Sequence, residues 1–240
     1  MATAYEPSIF ASPPVGVPGI PPLEPGDHLD QPTFHERYEA MPPGFRAELI
    51  EGVVIVPSPV SLTHGVYHSR MMAWTAFYQS ATPGTETADN TTTVLSRKNE
   101  PQPDVSLFLL EDRGGQMRVE GKFLAGAPEL VVEVAYSSAA YDLNDKLRAY
   151  EKAGVREYVV LVIHEREVRW FRREENKFVP LPLDADGVFR SRVFPGLWLD
   201  ASAAIQADSA KILQTLQTGL ASAEHGAFVE ALQRRGPAKA

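Results

Sequence analysis

The chain has 240 residues, a formal net charge of −8 and no cysteine. Its length suits one domain with appendages or two small ones, and the missing cysteines exclude a disulfide framework and any cysteine-ligated zinc or iron–sulfur cluster. The acidic balance counts against a broad basic surface for nucleic acid, though not against a local basic groove, and no apolar stretch approaches the ~20 residues a membrane-spanning helix needs.

No basic segment followed by a long apolar run opens the chain, so no signal peptide is expected, and a cytoplasmic protein without a membrane partner is the consistent reading. Ten of the 20 prolines fall within residues 1–43. Such density cannot pack as helix or central strand, so Met1 to about Asp30 reads as an extended, mobile arm. A short helix is expected in "PTFHERYEAMPPG", where Thr33 and Glu36 have capping-box spacing and Pro42-Pro43 stops it. "FRAELIEGVVIVPSP" reads as strand residues around a hairpin or tight turn at Glu51-Gly52. From His64 to about Ser80, Tyr67, Met71, Trp74 and Tyr78 recur at helical spacing.

Thr93–Ser96 and, more clearly, Pro103–Leu110 read as strands, and a charged loop follows. "PELVVEVAYSS" contains the next strand, Glu129–Tyr136. "AAYDLNDKLRAYEKAGV" reads as a regular amphipathic helix with Leu143, Leu147 and Tyr150 on one face and Gly154 as its C-terminal cap. "REYVVLVI" is a buried run, "REVRWFRR" and "KFVPLPL" are alternating half-exposed strands, and "PGLWLD" closes the core near Asp200. Residues 201–240 read as a helical extension ending in a loose "RRGPAKA". The domain expectation is therefore an arm over 1–30, a core over 31–200 and an extension over 201–240. Strand–helix–strand across 129–163 implies a parallel pair, and so an α/β class with a mixed sheet.

Glu133 lies in an apolar strand, where an unpaired charge is costly. Alternation puts Val131, Glu133 and Ala135 on one face and Leu130, Val132 and Val134 on the other. Three other residues could meet it. Asp104 opens an apolar strand after Pro103, Lys146 lies in the first half of the helix after Glu133, and Glu48 is flanked by Ala47 and Leu49. Each has an ordinary alternative: a solvated strand face for Glu133 or Glu48, a turn-capping residue for Asp104, and for Lys146 a surface pair with Asp142. Together they have chemical sense. Two carboxylates from adjacent strands could chelate Mg²⁺, the metal could activate water and stabilise charge on a phosphate, and a lysine could stabilise the developing oxyanion.

From Thr33 to Asp200 the chain resembles the Uma-type restriction endonuclease family, a branch of the PD-(D/E)XK nuclease superfamily. The resemblance is carried by "AELIEG", "SPVSLTH", "PQPDVSLF", the long block "APELVVEVAYSSAAYDLNDKLRAYEKAGVREYVVLV", and "FPGLWLD". It implies a restriction-endonuclease-like core, a mixed β-sheet flanked by helices, commonly dimeric, that cuts DNA with Mg²⁺ or, in its place, Mn²⁺. It implies that Pro103-Asp104 is the "PD" and Glu133 the "(D/E)", the two metal ligands. The superfamily's lysine two residues after the acid is Ala135 here, and Lys146 stands where this branch places it, on the following helix. Glu48 matches the acid of the family's "YELIDG"-like opening, with Ala47 in place of tyrosine.

His64 and His68 are one helical turn apart, a spacing zinc can use, but no third ligand lies nearby in sequence, and hydrogen-bonded core-edge histidines are the favoured reading. "SPVSLTH" makes His64 a minor active-site candidate. "REVRWFRREENK" reads either as a solvated ribbon, slightly favoured, or as a phosphate-contacting strip. Walker, GxGxxG and GxSxG patterns are absent. Three functional readings follow: a Mg²⁺-dependent DNA phosphodiesterase, expected as a homodimer; a nuclease-like fold acting as a non-catalytic binding or assembly module; and, behind both, a metal-dependent hydrolase of a smaller phosphoester.

Overall fold

A computed structural model describes residue 17 and residues 19–236. Helix α1 (Gln31–Glu39) starts with Pro32 in its first turn and is capped by Asp30, whose side chain accepts the Thr33 N–H at 3.2 Å. The expected Thr33 cap is thus corrected: proline suits the first turn, where no helical N–H partner exists, and that starts the helix earlier. Strands β1 (Glu48–Ile50) and β2 (Val53–Ile55) form the expected hairpin. Glu51 and Gly52 both take positive φ at its turn, which matches the right-handed twist of the flanking strands.

Helix α2 (Leu62–Ala81) is capped by Ser61. Strands β3 (Thr85–Asp89), β4 (Thr93–Val94), β5 (Val105–Leu109), β6 (Arg118–Glu120), β7 (Phe123–Ala125) and β8 (Leu130–Ala135) follow. The next helical region is not one regular helix. Its turns are α3 (Ala139–Tyr141), a π-helical segment Asp142–Lys146, and α4 (Leu147–Ala153), closed by Gly154 at φ 97. Beyond lie β9 (Glu157–Val162), β10 (Glu167–Glu174), β11 (Lys177–Pro180), β12 (Val188–Arg190) and β13 (Trp198–Asp200), then α5 (Ala201–Gln206), α6 (Ser209–Leu220) and α7 (Ala223–Arg235).

The main sheet has six strands in the order β11-β10-β9-β8-β5-β3. Only β8 and β9 run parallel, joined by the α3–α4 crossover; the other neighbours are antiparallel. The mixed sheet flanked by helices is therefore the observed architecture. On one face Leu130, Val132, Val159 and Leu161 pack with Met71, Trp74 and Tyr78 of α2, and with Ile212, Leu216 and Leu232 of the C-terminal helices. On the other, Val131, Ala135, Tyr158 and Val160 pack with Tyr150 of α4. Glu133 belongs to this second face by alternation, and the crossover helix covers it.

Residues 1–16 and 18 of the expected arm lie outside the described residues, as do residues 237–240 of the expected loose tail. The last part of the arm is held. Leu23 is buried with Phe34, Met41, Leu49 and Val54. The N–H groups of Gly26 and Leu29 donate to Val54 O and Gly52 O, each at 2.8 Å, and Val54 N–H donates to Asp27 O at 2.9 Å. The prolines here set an extended path, and that path lies along β2.

Candidate active site

Strands β5 and β8 are antiparallel with Val105 opposite Val132. One step further, the register sets Asp104 opposite Glu133, and directly opposed residues project to the same side. Asp104 Oδ2 accepts the Val134 N–H at 2.7 Å and a bond from His64 Nε2 at 3.1 Å. Its backbone carbonyl accepts from His68 Nε2 at 2.9 Å. His68 Nε2 also faces Asp89 at 3.0 Å. Both imidazoles are thus spent on acceptors through Nε2, as hydrogen-bonded core-edge histidines, and they do not converge on a zinc position.

Glu133 is 3% exposed. Its Oε1 accepts from Lys146 Nζ at 3.0 Å and from the Tyr150 hydroxyl at 2.7 Å, and Oε2 has a long 3.5 Å contact with the Asp104 N–H. Lys146 is 5% exposed and its ammonium also lies 3.0 Å from Glu48 Oε1. That oxygen accepts the Gln102 N–H at 2.7 Å. The structure therefore brings Asp104, Glu133, Lys146 and Glu48 into one cluster. The surface pairing of Lys146 with Asp142 is replaced by two buried ion pairs, and Glu48 does not face water.

The π turn explains part of this. A regular helix would wind at 3.6 residues per turn; the wider Asp142–Lys146 segment resets the register, as π segments at functional sites often do. Lys146 and Tyr150, one α turn apart, both reach the same Glu133 oxygen. Asp142 is buried too, with the Ser138 hydroxyl donating to it.

Charge at the cluster is strongly interdependent. Burial pushes the Glu133 carboxyl well above the usual range, with Lys146 opposing and the neighbouring acids adding to the rise. Burial would lower the Lys146 pKa, but Glu133, Glu48, Asp142 and Asp104 together raise it well above its ordinary value, so it stays an ammonium. Burial also raises Asp104, yet the His64 bond and charge, Lys146 and the Val134 N–H outweigh it and hold that carboxyl low. His64 is raised by its bond to Asp104. Opposite shifts on two facing acids are what mixed acid–base or metal chemistry uses.

These groups form the floor of a cleft of ≈ 840 Å³ between the β1 lead-in, the 56–61 loop and the start of the crossover. Sequence reasoning missed Tyr150, taken only as core, and Asp142, taken only as a helical partner. The one signal for Tyr150 was its position four residues after Lys146. The basic "REVRWFRREENK" strip lies away from this lining, and most of its basic groups meet nearby acceptors: Arg169 pairs with Glu165 and Glu167, Arg172 with Glu174 and Lys177 with Glu151, and Arg173 donates to the Glu151 carbonyl.

The family described as "Uma2: Putative restriction endonuclease" matches residues 33–202. The chain belongs to this family. A solved structure titled as a "putative nuclease belonging to DUF820 from Anabaena variabilis ATCC 29413" is similar to it, with a TM-score of 0.56 and 14% identity over 72% of this chain and 97% of that one. At that identity the likeness is one of fold. No curated protein matches the chain. The expected family is thus the observed one, and no helix among the described residues is long and apolar enough to cross a membrane.

Proposed function

We propose that this Uma2-family chain is a metal-dependent endonuclease that hydrolyses DNA phosphodiester bonds. The observation that carries the reading is the opposition of Asp104 and Glu133 on paired strands, with Lys146 Nζ 3.0 Å from Glu133 at the base of a cleft. Among the described residues no three His, Asp or Glu side chains gather as a metal cage. Two carboxylates nevertheless fit Mg²⁺, or Mn²⁺ in its place, because Mg²⁺ is commonly held by one or two carboxylates and keeps several waters. Asp104 Oδ1 accepts no hydrogen bond among the described residues, and Glu133 Oε2 has only its long contact. Each acid therefore keeps an oxygen for a cation. Such an ion supplies an activated water and neutralises charge on the phosphate.

The remaining roles belong to the chain. Lys146 has three N–H donors. Two meet Glu133 and Glu48, which leaves the third to orient water or stabilise a developing oxyanion. Glu48 fixes that lysine, Tyr150 fixes Glu133 through Oε1, and His64 with the Val134 N–H fixes Asp104. The proposal includes a cytoplasmic homodimer, which rests on the family resemblance and the cysteine-free composition. The test is cleavage of mixed single- and double-stranded DNA with Mn²⁺; wild type cuts and Asp104→Ala does not.

A second reading, a nuclease-like binding or assembly module, is favoured by one feature: Lys146 is locked between two acids and so serves also as a plain counter-ion. Calorimetry with Mg²⁺ or Mn²⁺ separates the two, since the module binds no metal in the millimolar range.

A further inference from the structure

Four acids, Glu48, Asp104, Glu133 and Asp142, line the cleft, against Lys146 and Arg46 as its permanent cations. Lys146 is held between Glu133 and Glu48, and its remaining donor belongs to the scissile position. Two of the neutral donors beside them are spent as well, the Gln102 amide on Tyr38 and Thr92 and the Asn90 amide on Asp89, and those left open, such as the Tyr141 hydroxyl, carry no charge. A polyanionic strand entering here meets net negative charge. A metal offsets it at the scissile phosphate only, so the neighbouring phosphates need another cation.

Arg46 is placed for that task. It lies on the extended lead-in to β1, where Ala47 and Leu49 are buried in the Phe34–Met41–Val54 cluster. Alternation then sends Arg46 to the same side as Glu48, and both line the cleft. Two strand residues span roughly 7 Å, about one step between adjacent phosphates of a strand. Glu48 is buried and Arg46 exposed. Among the described residues the Arg46 guanidinium makes no hydrogen bond and no ion pair, whereas Arg37, Arg97, Arg169 and Arg190 all pair with acids.

We infer that Arg46 is a substrate-binding residue that grips the backbone phosphate next to the scissile one in a bound DNA strand. A planar guanidinium offers two parallel N–H donors to a phosphate and remains charged at every relevant pH. The contact is to the backbone, so it positions the strand without reading its sequence. This inference rests on the nuclease reading of the same cleft.

The experiment measures binding of a fluorescein-labelled DNA duplex, with Mg²⁺ present, against salt concentration. It uses Asp104→Asn protein to prevent cleavage, alone and combined with Arg46→Gln, Arg46→Lys or Arg166→Gln. Arg166 is exposed, lies outside the cleft and controls for bulk charge. Arg46→Gln weakens binding about tenfold and lowers the slope of log Kd against log salt by about one. Arg46→Lys restores the slope but only part of the affinity, and Arg166→Gln changes neither. In otherwise wild-type protein, Arg46→Gln raises KM far more than it lowers kcat. If wild type cuts DNA and Arg46→Gln matches its parent in affinity and slope, the Arg46 assignment alone is overturned. If Arg46→Gln and Arg166→Gln weaken binding equally, the effect is bulk charge and the assignment is again overturned. If wild type neither binds nor cuts DNA, the nuclease reading and this inference fall together.

Discussion

Glu133 is tolerated in an apolar strand because Lys146, Tyr150 and the Asp104 N–H each meet one of its oxygens. A buried acid whose partners are all present contributes little net stability, whereas removing one partner leaves the others unsatisfied. Glutamine keeps an acceptor for Tyr150, and Lys146 keeps Glu48. Glu133→Gln is therefore expected to abolish metal-dependent activity while shifting unfolding free energy by no more than about 1 kcal/mol, measured by denaturant melts. A fully active variant would make Glu133 a structural acid. Glu157 provides a separate test. It is fully buried, with Ser191 Oγ and the Arg192 N–H donating to it, and burial pushes its carboxyl from 4.5 up to about 7. Between those values the native state holds a proton that the unfolded state has lost, so stability falls as pH rises. The shift corresponds to about 3 kcal/mol. The stability of wild type relative to Glu157→Gln should decline by that amount from below pH 4.5 to above pH 7 and then level off; a flat difference would mean that Glu157 titrates alike in the folded and unfolded states. The acids were legible in the sequence because a charge in an apolar run is conspicuous. Tyr150 was not, because a tyrosine on an apolar helical face reads equally as core, and Arg46 was not, because only the fold shows which arginines lack acids.

At the scale of elements, strongly patterned segments were legible: α2, β8 and β9 have long apolar periods or runs that local physics alone assigns. Short strands were not. Strand β6 is exposed along its whole length and β3 is mostly polar, so both are fixed by neighbours rather than by their own composition. The crossover was assigned as helical, but its π turn was invisible, since the burial of Lys146 depends on carboxylates from other strands. The segment before α1 shows the same limit. Proline excluded helix there but could not reveal that Leu23 docks between α1 and the β1–β2 hairpin. Because Leu23 is 4% exposed, Leu23→Ala should cost about 2–4 kcal/mol. An unchanged melting temperature would show that this segment is the loose arm its composition suggested.

The whole molecule divides its labour across one sheet. The face covered by α2 and the C-terminal helices holds the larger apolar core, including Trp74, Trp170 and Phe194. The crossover face holds the cluster of Glu48, Asp104, Glu133 and Lys146. Helix α6 packs against α2 and β13, so the segment after Asp200 supports the scaffold from the side away from the charged cluster. The parallel β8–β9 pair was legible from its strand–helix–strand order. The convergence of Glu48 with Lys146 was not, because it joins residues about a hundred positions apart. The net charge of −8 makes non-specific attraction to DNA weak, so under the proposed function cleavage would depend on the cluster and the cation it would hold. The most direct test is a single-turnover cleavage assay on mixed DNA substrates over a Mn²⁺ titration, with wild type, Asp104→Ala, Lys146→Ala and Lys152→Ala side by side. Lys152 pairs with Glu51 on the exposed side of the crossover. The account predicts metal-dependent cutting by wild type and Lys152→Ala, and losses of about 100-fold or more in Asp104→Ala and Lys146→Ala. Equal rates for all four proteins, or no cutting by wild type at any metal concentration, would contradict it.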